Sequence, residues 1–147
     1  MTNDATLLCP CCSGKLYQDC CRIYHQGKDA ENALTLMRAR YSAYVFNNVD
    51  YIVRTTHPRN PAVAQNLVAW KQSILNFSLN TDFIKLEVLD FKESQDAATV
   101  VFVAHLKQGE EDVSFTERSF FARVDGRWFY VNGDVFPGES RDVQASF

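Results

Sequence analysis

Val113-Ser114-Phe115-Thr116-Glu117-Arg118-Ser119-Phe120-Phe121-Ala122-Arg123-Val124-Asp125-Gly126-Arg127-Trp128-Phe129-Tyr130-Val131-Asn132-Gly133-Asp134-Val135 reads as two β-strands and the turn between them. β-Branched and aromatic residues fill both arms, Val113 to Val124 and Arg127 to Val135. The Asp125-Gly126 pair is a strong two-residue hairpin signal, because such turns need positive φ at both positions. Upstream, Phe83 to Phe91 and Ala97 to Lys107 have the same character. Their short connections, Lys92–Asp96 and Gln108–Asp112, suit antiparallel neighbours. The second half of the chain is therefore expected to be a four-stranded antiparallel meander.

Before Asn80 the period is helical. A first helix is expected to begin near Asp29, an N-cap residue, with Glu31 complementing the helix dipole. Ala33, Leu34, Met37, Tyr41, Tyr44 and Val45 then make one apolar face up to Phe46, with Arg40 at one edge and Arg38 at the other. A second helix runs from Val49 to Arg54, capped by Asn48, and must stop before Pro58. A third takes Asn60 as N-cap and Pro61 as first helical residue, with Val63, Leu67, Trp70, Ile74 and Phe77 at helical intervals. Helices first and a meander after define an α+β domain with three helices packed on one face of the sheet. The divisions are a segment of residues 1–28, the α+β domain over 29–136, and an irregular tail over 137–147. Within the first, residues 1–8 read as a frayed lead-in and Arg22 to Lys28 as a polar linker hinged at Gly27.

All five cysteines lie in thirteen residues of that first segment, Cys9-Pro10-Cys11-Cys12-Ser13-Gly14-Lys15-Leu16-Tyr17-Gln18-Asp19-Cys20-Cys21. Zinc needs four S or N ligands at tetrahedral positions, supplied in pairs by tight turns. Cys9 with Cys11 and Cys20 with Cys21 form such pairs, and Gly14 can take the positive φ of a reversing knuckle. Lys15 would offset part of the charge of a four-thiolate centre. Metal binding would be local folding energy, since thirteen residues make no core of their own. Disulfides fit less well, because adjacent Cys20 and Cys21 are poor partners and the expected compartment is reducing. A redox role would use Cys-x-x-Cys, found only as Cys9–Cys12, which overlaps the ligands. His25 reads as a linker residue, four thiols being sufficient.

The 147 residues, 46% hydrophobic and 22% charged, describe one globular domain rather than a disordered chain. Met1 to Thr6 has neither a basic nor a long apolar region, so no signal peptide is expected. The longest apolar run, Val100 to Ala104, is too short to span a bilayer. No membrane insertion and a cytoplasmic location follow as expectations. Net charge is −3, and residues 78–147 hold seven basic and thirteen acidic side chains. No Lys/Arg stripe marks a nucleic-acid surface.

The pattern C-x-C-x-S-G-K-x-Y-x-x-C-C resembles the SEC-C motif, the zinc-binding tail of the SecA translocation ATPase. That resemblance implies Cys9, Cys11, Cys20 and Cys21 as ligands of a structural Zn2+. The position after the second Cys is usually Gly in the motif and is Cys12 here, leaving a fifth thiol. Leu36-Met37-Arg38-Ala39-Arg40-Tyr41-Ser42-Ala43-Tyr44, Asp50-Tyr51, Thr56-His57-Pro58, Phe102-Val103-Ala104, Glu117-Arg118-Ser119 and Trp128-Phe129-Tyr130-Val131-Asn132-Gly133 look like the YchJ family of small bacterial proteins. This implies the cone-shaped fold of nuclear transport factor two for the middle domain. Longer members carry a second SEC-C motif at the C-terminus, whereas residues 137–147 hold no cysteine.

In a cone-shaped fold, sheet and helices enclose a cavity. Residues placed to line it are Arg40, Tyr44, His57, Trp70, Glu117, Arg118, Trp128 and Tyr130. Period two sets Glu117 with Phe115, Ser119 and Phe121, and Arg118 with Phe120 on the opposite face. Plainer roles compete: a snorkelling Arg40, a structural ion pair with Glu117, a His57 bonded within its turn, aromatics as core. No catalytic residue is assigned. The first functional expectation is an adaptor docking a protein through the knuckle, with the export chaperone or the ribosome as partners by analogy with the SecA tail. The alternative is a small-molecule binder or enzyme using the cavity. A third is redox or metal sensing through Cys12.

Overall fold

The computed structural model describes residues 7–146. Its helices are α1 (Cys21–His25), α2 (Ala33–Val45), α3 (Val49–Arg54) and α4 (Leu67–Leu79). Its strands are β1 (Asp82–Glu93), β2 (Ala97–Gln108), β3 (Glu111–Asp112), β4 (Phe115–Val124) and β5 (Arg127–Pro137). The main sheet runs β1-β2-β4-β5, antiparallel throughout, and the two-residue β3 pairs with β2. α2 packs across β1, β2 and β5, with α1, α3 and α4 against α2, giving the expected α+β cone with one short helix and one short strand more than expected.

Asp125 and Gly126 both take positive φ, 51° and 80°, and join β4 to β5. The sheet curves where its register slips, at Phe83/Lys85 and Val88/Asp90 in β1 and at Phe120/Phe121 of β4 against β5. Each extra residue bends its strand and sharpens the local twist. Phe102, Ala104, Leu106, Phe115, Glu117, Ser119 and Phe121 point to the concave side, and Val101, Val103, Thr116 and Arg118 alternate outward.

α3 begins at Asn48, whose side chain accepts from Tyr51 N. α2 starts later than expected. Its N-cap is Asn32, accepting from Thr35 N at 2.7 Å, and Glu93 Oε1 from the sheet accepts from Ala33 N. Asp29 instead pairs with Arg127. The third helix is also divided. Asn60 caps only a 3₁₀ turn, Pro61–Ala64; Gln65 is extended, and Asn66 recaps the chain at α4. Val63 and Leu67 are consequently exposed, whereas Trp70 and Ile74 are buried.

The segment read as a polar linker is α1. Arg54 Nη2 donates to the Tyr24 and His25 carbonyls at its end. His25 is no linker residue. Its Nε2–H donates to the Ala39 carbonyl at 2.8 Å, Nδ1 accepts from Tyr17 Oη at 2.7 Å, and its ring meets Tyr51 edge-on. Of the lead-in, residues 1–6 lie outside the described residues, while Leu8 bridges Leu16 and the Leu7 carbonyl accepts from Tyr17 N. The tail crosses the outer face of the sheet. Thr99 Oγ1 donates to the Ser146 carbonyl, Asp90 accepts from Ala145 N, and Arg141 pairs with Glu87. Among the described residues no helix is long and apolar enough to cross a membrane.

Candidate metal centre and cone cavity

The knuckle is a doubled-back ribbon. Cys9 N donates to the Lys15 carbonyl and Cys12 N to the Cys9 carbonyl, so Cys9 and Cys11 sit at its bend. A 3₁₀ turn, Tyr17–Asp19, then brings Cys20 and Cys21 back beside them. The sulfurs of Cys9, Cys11, Cys20 and Cys21 all lie within 4.8 Å of one another, with Cys11–Cys20 at 3.7 Å and Cys20–Cys21 at 4.0 Å. Four thiolates bound tetrahedrally at about 2.3 Å would stand roughly 3.8 Å apart. The cluster therefore has the dimensions of a four-cysteine metal site.

Its surroundings suit an anionic centre. Ser13 Oγ is 3.2 Å from Cys20 Sγ and Ser42 Oγ 3.4 Å from Cys9 Sγ, while Arg38 Nη1 donates to the Cys11 carbonyl at 2.7 Å. Hydrogen bonds from Cys11 and Cys21 hold the Cys9 thiol well below the usual thiol range, while those with Cys11 and Cys9, together with burial, push Cys21 far above it. Cys12 stands apart: its sulfur accepts from Leu86 N at 3.4 Å and lies outside the four-sulfur group. Its φ of 65° explains why the motif usually carries Gly there, since few side chains adopt that conformation. Gly14, with φ 87°, makes the second such turn.

The cone encloses a cavity of about 480 Å³. Phe77, Phe83, Phe102, Phe115 and Trp70 supply aromatic wall, and Gln65 and Ser73 lie where the exposed edge of α4 meets it. Arg40 enters from α2. Its Nη1 donates to the Ile52 carbonyl, Thr55 Oγ1 (2.8 Å) and Thr56 Oγ1 (3.1 Å). Those threonines are fixed because the chain after α3 pairs with β5, Tyr130 N donating to the Thr55 carbonyl and His57 N to that of Tyr130. The Arg40 guanidinium lies 4.5 Å from the Tyr130 ring centroid.

Opposite, Glu117 Oε2 accepts from Ser119 Oγ and from Tyr130 Oη at 3.0 Å. Gly133 makes this possible. A Cβ there would stand 2.6 Å from that oxygen, so the carboxyl is seated directly on bare backbone. Burial pushes the Glu117 carboxyl above the usual carboxylate range, against the opposing pull of its two hydroxyl donors and Arg40. Glu117 and Tyr44 nonetheless keep accessible surface, because they face the cavity rather than packed atoms. Tyr41 also lines it, and its Oη is buried without a hydrogen-bond partner among the described residues.

Five of the eight residues expected around the cavity line it: Arg40, Tyr44, Trp70, Glu117 and Tyr130. The other three do not. Arg118 takes the outer face by strand alternation and pairs with Asp134 at 3.1 Å. His57 turns away; its Nδ1 accepts from Arg59 N, and its ring meets Phe129. Trp128 is buried beside a recess of about 40 Å³ with Leu36 and Tyr51. Sequence reasoning missed Gly133, whose one signal was a glycine inside a strand. It also gave no role to Thr55, which carries no signal of its own, or to Thr56, which entered only within the Thr56-His57-Pro58 resemblance. A second acidic group, Glu87, His105 and Glu139, is already bridged by the Arg141 guanidinium.

Fold and site together define a nuclear-transport-factor-two-like α+β domain fronted by a four-cysteine knuckle. A family described as "YchJ, middle NTF2-like domain" matches residues 32–133, and the chain belongs to the YchJ family. Relatives include a UPF0225 protein of Serratia proteamaculans, 37% identical over 86% of this chain and 82% of its own. A UPF0225 protein of Actinobacillus succinogenes is 35% identical, over 88% and 83%. Among solved structures, a SEC-C motif containing protein from Rhodopseudomonas palustris superimposes with TM-score 0.75, at 34% identity over 86% of this chain and 96% of its own. Another from Psychrobacter arcticus gives 0.74, at 30% identity over 93% and 87%.

Proposed function

We propose that this protein binds a small organic molecule in its cone cavity, and that a structural zinc ion fastens the knuckle to α2. The observation that carries the first part is the cavity. Where close packing normally leaves few voids larger than a water, aromatic walls and the polar groups of Arg40, Tyr44 and Glu117 surround about 480 Å³ of open space. Zinc is the ion assigned because four cysteine sulfurs at tetrahedral spacing leave no open coordination position, the pattern of a structural rather than catalytic site. A reducing, cytoplasmic setting would keep those thiols available. Binding is proposed, and no reaction is assigned to the cavity.

A thermal-shift screen of the zinc-loaded chain against small amphipathic metabolites tests this reading. Stabilisation by at least one compound class is expected. A flat response across the whole collection contradicts it.

A second reading, an adaptor docking through the knuckle with an export chaperone or ribosome as partner, draws support from Leu8 and Ile23. These apolar residues are exposed in and beside the knuckle. It predicts that Cys9→Ser and Cys20→Ser abolish capture of such a partner while the α+β domain stays folded. Unchanged capture by both variants counts against it.

A further inference from the structure

The cavity holds one buried cation that no carboxylate among the described residues directly pairs with. Arg40 is the one cationic side chain among the described lining residues, and Glu117 the one carboxyl. All three acceptors of Arg40 Nη1 are neutral oxygens, and no carboxylate among the described residues makes an ion pair with its guanidinium. Glu117 lies near enough to feel the Arg40 charge but makes no ion pair with it among the described residues, its Oε2 accepting instead from Ser119 and Tyr130. An ion buried without a counter-charge is costly, and a guanidinium offers a planar fork that matches a carboxylate.

Resting on the ligand-cavity reading above, we infer that the ligand is a monocarboxylate with an aromatic or alkyl body, its carboxylate on Arg40 and its body among Phe77, Phe83, Phe102 and Phe115. The cavity supports one negative charge and no more, since no second cation lines it among the described residues. Glu117 sharpens the selection. Its Oε1 takes no partner among the described residues, and burial shifts the carboxyl toward its protonated form, which would donate to an incoming carboxylate. Tyr44 contributes a further hydroxyl facing the same space.

Isothermal titration of the zinc-loaded full chain at neutral pH with 4-phenylbutanoate, 4-phenylbutanamide, 4-phenylbutan-1-ol and 4-phenylbutylamine tests the inference. The carboxylate is expected to bind at least about tenfold more tightly than the amide and the alcohol, and the amine weakest of all. Arg40→Gln should erase the preference; the four-ligand comparison on the unaltered chain decides the question even where that variant fails to fold. An alcohol, amide or amine bound as tightly as the carboxylate overturns the anion assignment and leaves the ligand-cavity reading standing. No binding by any of the four overturns both.

Discussion

Arg38 Nη1, on α2, donates to the carbonyl of Cys11 at 2.7 Å, so the helix that roofs the cavity also grips the cysteine knuckle. The contact brings positive charge to the edge of a centre that four thiolates would make strongly negative. Groups that bond to ligand residues in this way commonly contribute tenfold or more to metal affinity. Arg38→Gln is therefore predicted to weaken zinc binding about 10- to 100-fold, measured by chelator competition. An affinity equal to that of the unaltered chain would remove Arg38 from the centre.

Gly133 and Glu117 form a second coupled pair. Alanine at 133 would put Cβ 2.6 Å from Glu117 Oε2 and 2.8 Å from its Cδ. Gly133→Ala should cost about 1–3 kcal/mol by overpacking, although alanine in a strand is ordinarily the more favourable residue. In a Glu117→Ala background the same change should become nearly neutral. Additive losses in this double-mutant cycle, read from denaturant unfolding, would mean that the carboxyl does not rest on Gly133.

The titration of Glu117 has a definite sign. With its native pKa raised by burial, the folded chain retains a proton that the unfolded chain releases above about 4.5. Unfolding then releases protons, and the contribution to stability falls as pH rises through that window. Glu117→Gln, which keeps a neutral side chain at every pH, should gain in Tm on the ligand-free parent as pH rises above about 4.5. A constant difference across the range would contradict the buried protonated carboxyl.

His25 titrates with the opposite consequence. Burial lowers its pKa below 6.5, and its two hydrogen bonds fix the neutral Nε2–H tautomer. Its contribution is present above about 6.5 and is lost as pH falls, because the unfolded chain then takes up a proton that the native site resists. The stability advantage of the parent over His25→Gln should shrink on acidification. An advantage that grew would mean a charged imidazole in the fold.

Much of this architecture is legible in local chemistry. Asp125-Gly126 dictates a hairpin because the turn needs two positive φ values, and Asn48 caps α3 as its position suggests. Cysteine spacing offers two pairs, and with the SEC-C resemblance it points to the four sulfurs that converge. What the sequence hides is decided by partners far along the chain. His25 looks like a linker residue until Ala39 and Tyr17 are brought to its two nitrogens. The helical spacing runs unbroken from Asn60 to Phe77, and this continuity masks the second cap signal at Asn66, where the helix restarts. Arg118 was separated from Glu117 by strand alternation, yet its outward partner Asp134 became evident only with the register of β4 against β5.

The central claim is that the cone cavity is a ligand site. ¹H–¹⁵N correlation spectra of the zinc-loaded protein, recorded through a titration with 4-phenylbutanoate, test it most directly. The account predicts saturable shifts centred on Arg40, Tyr44, Phe102, Glu117 and Tyr130, with the outer-face residues Val101, Val103 and Arg118 little changed. Shifts confined to the outer face or the knuckle, or none at saturating ligand, would contradict it.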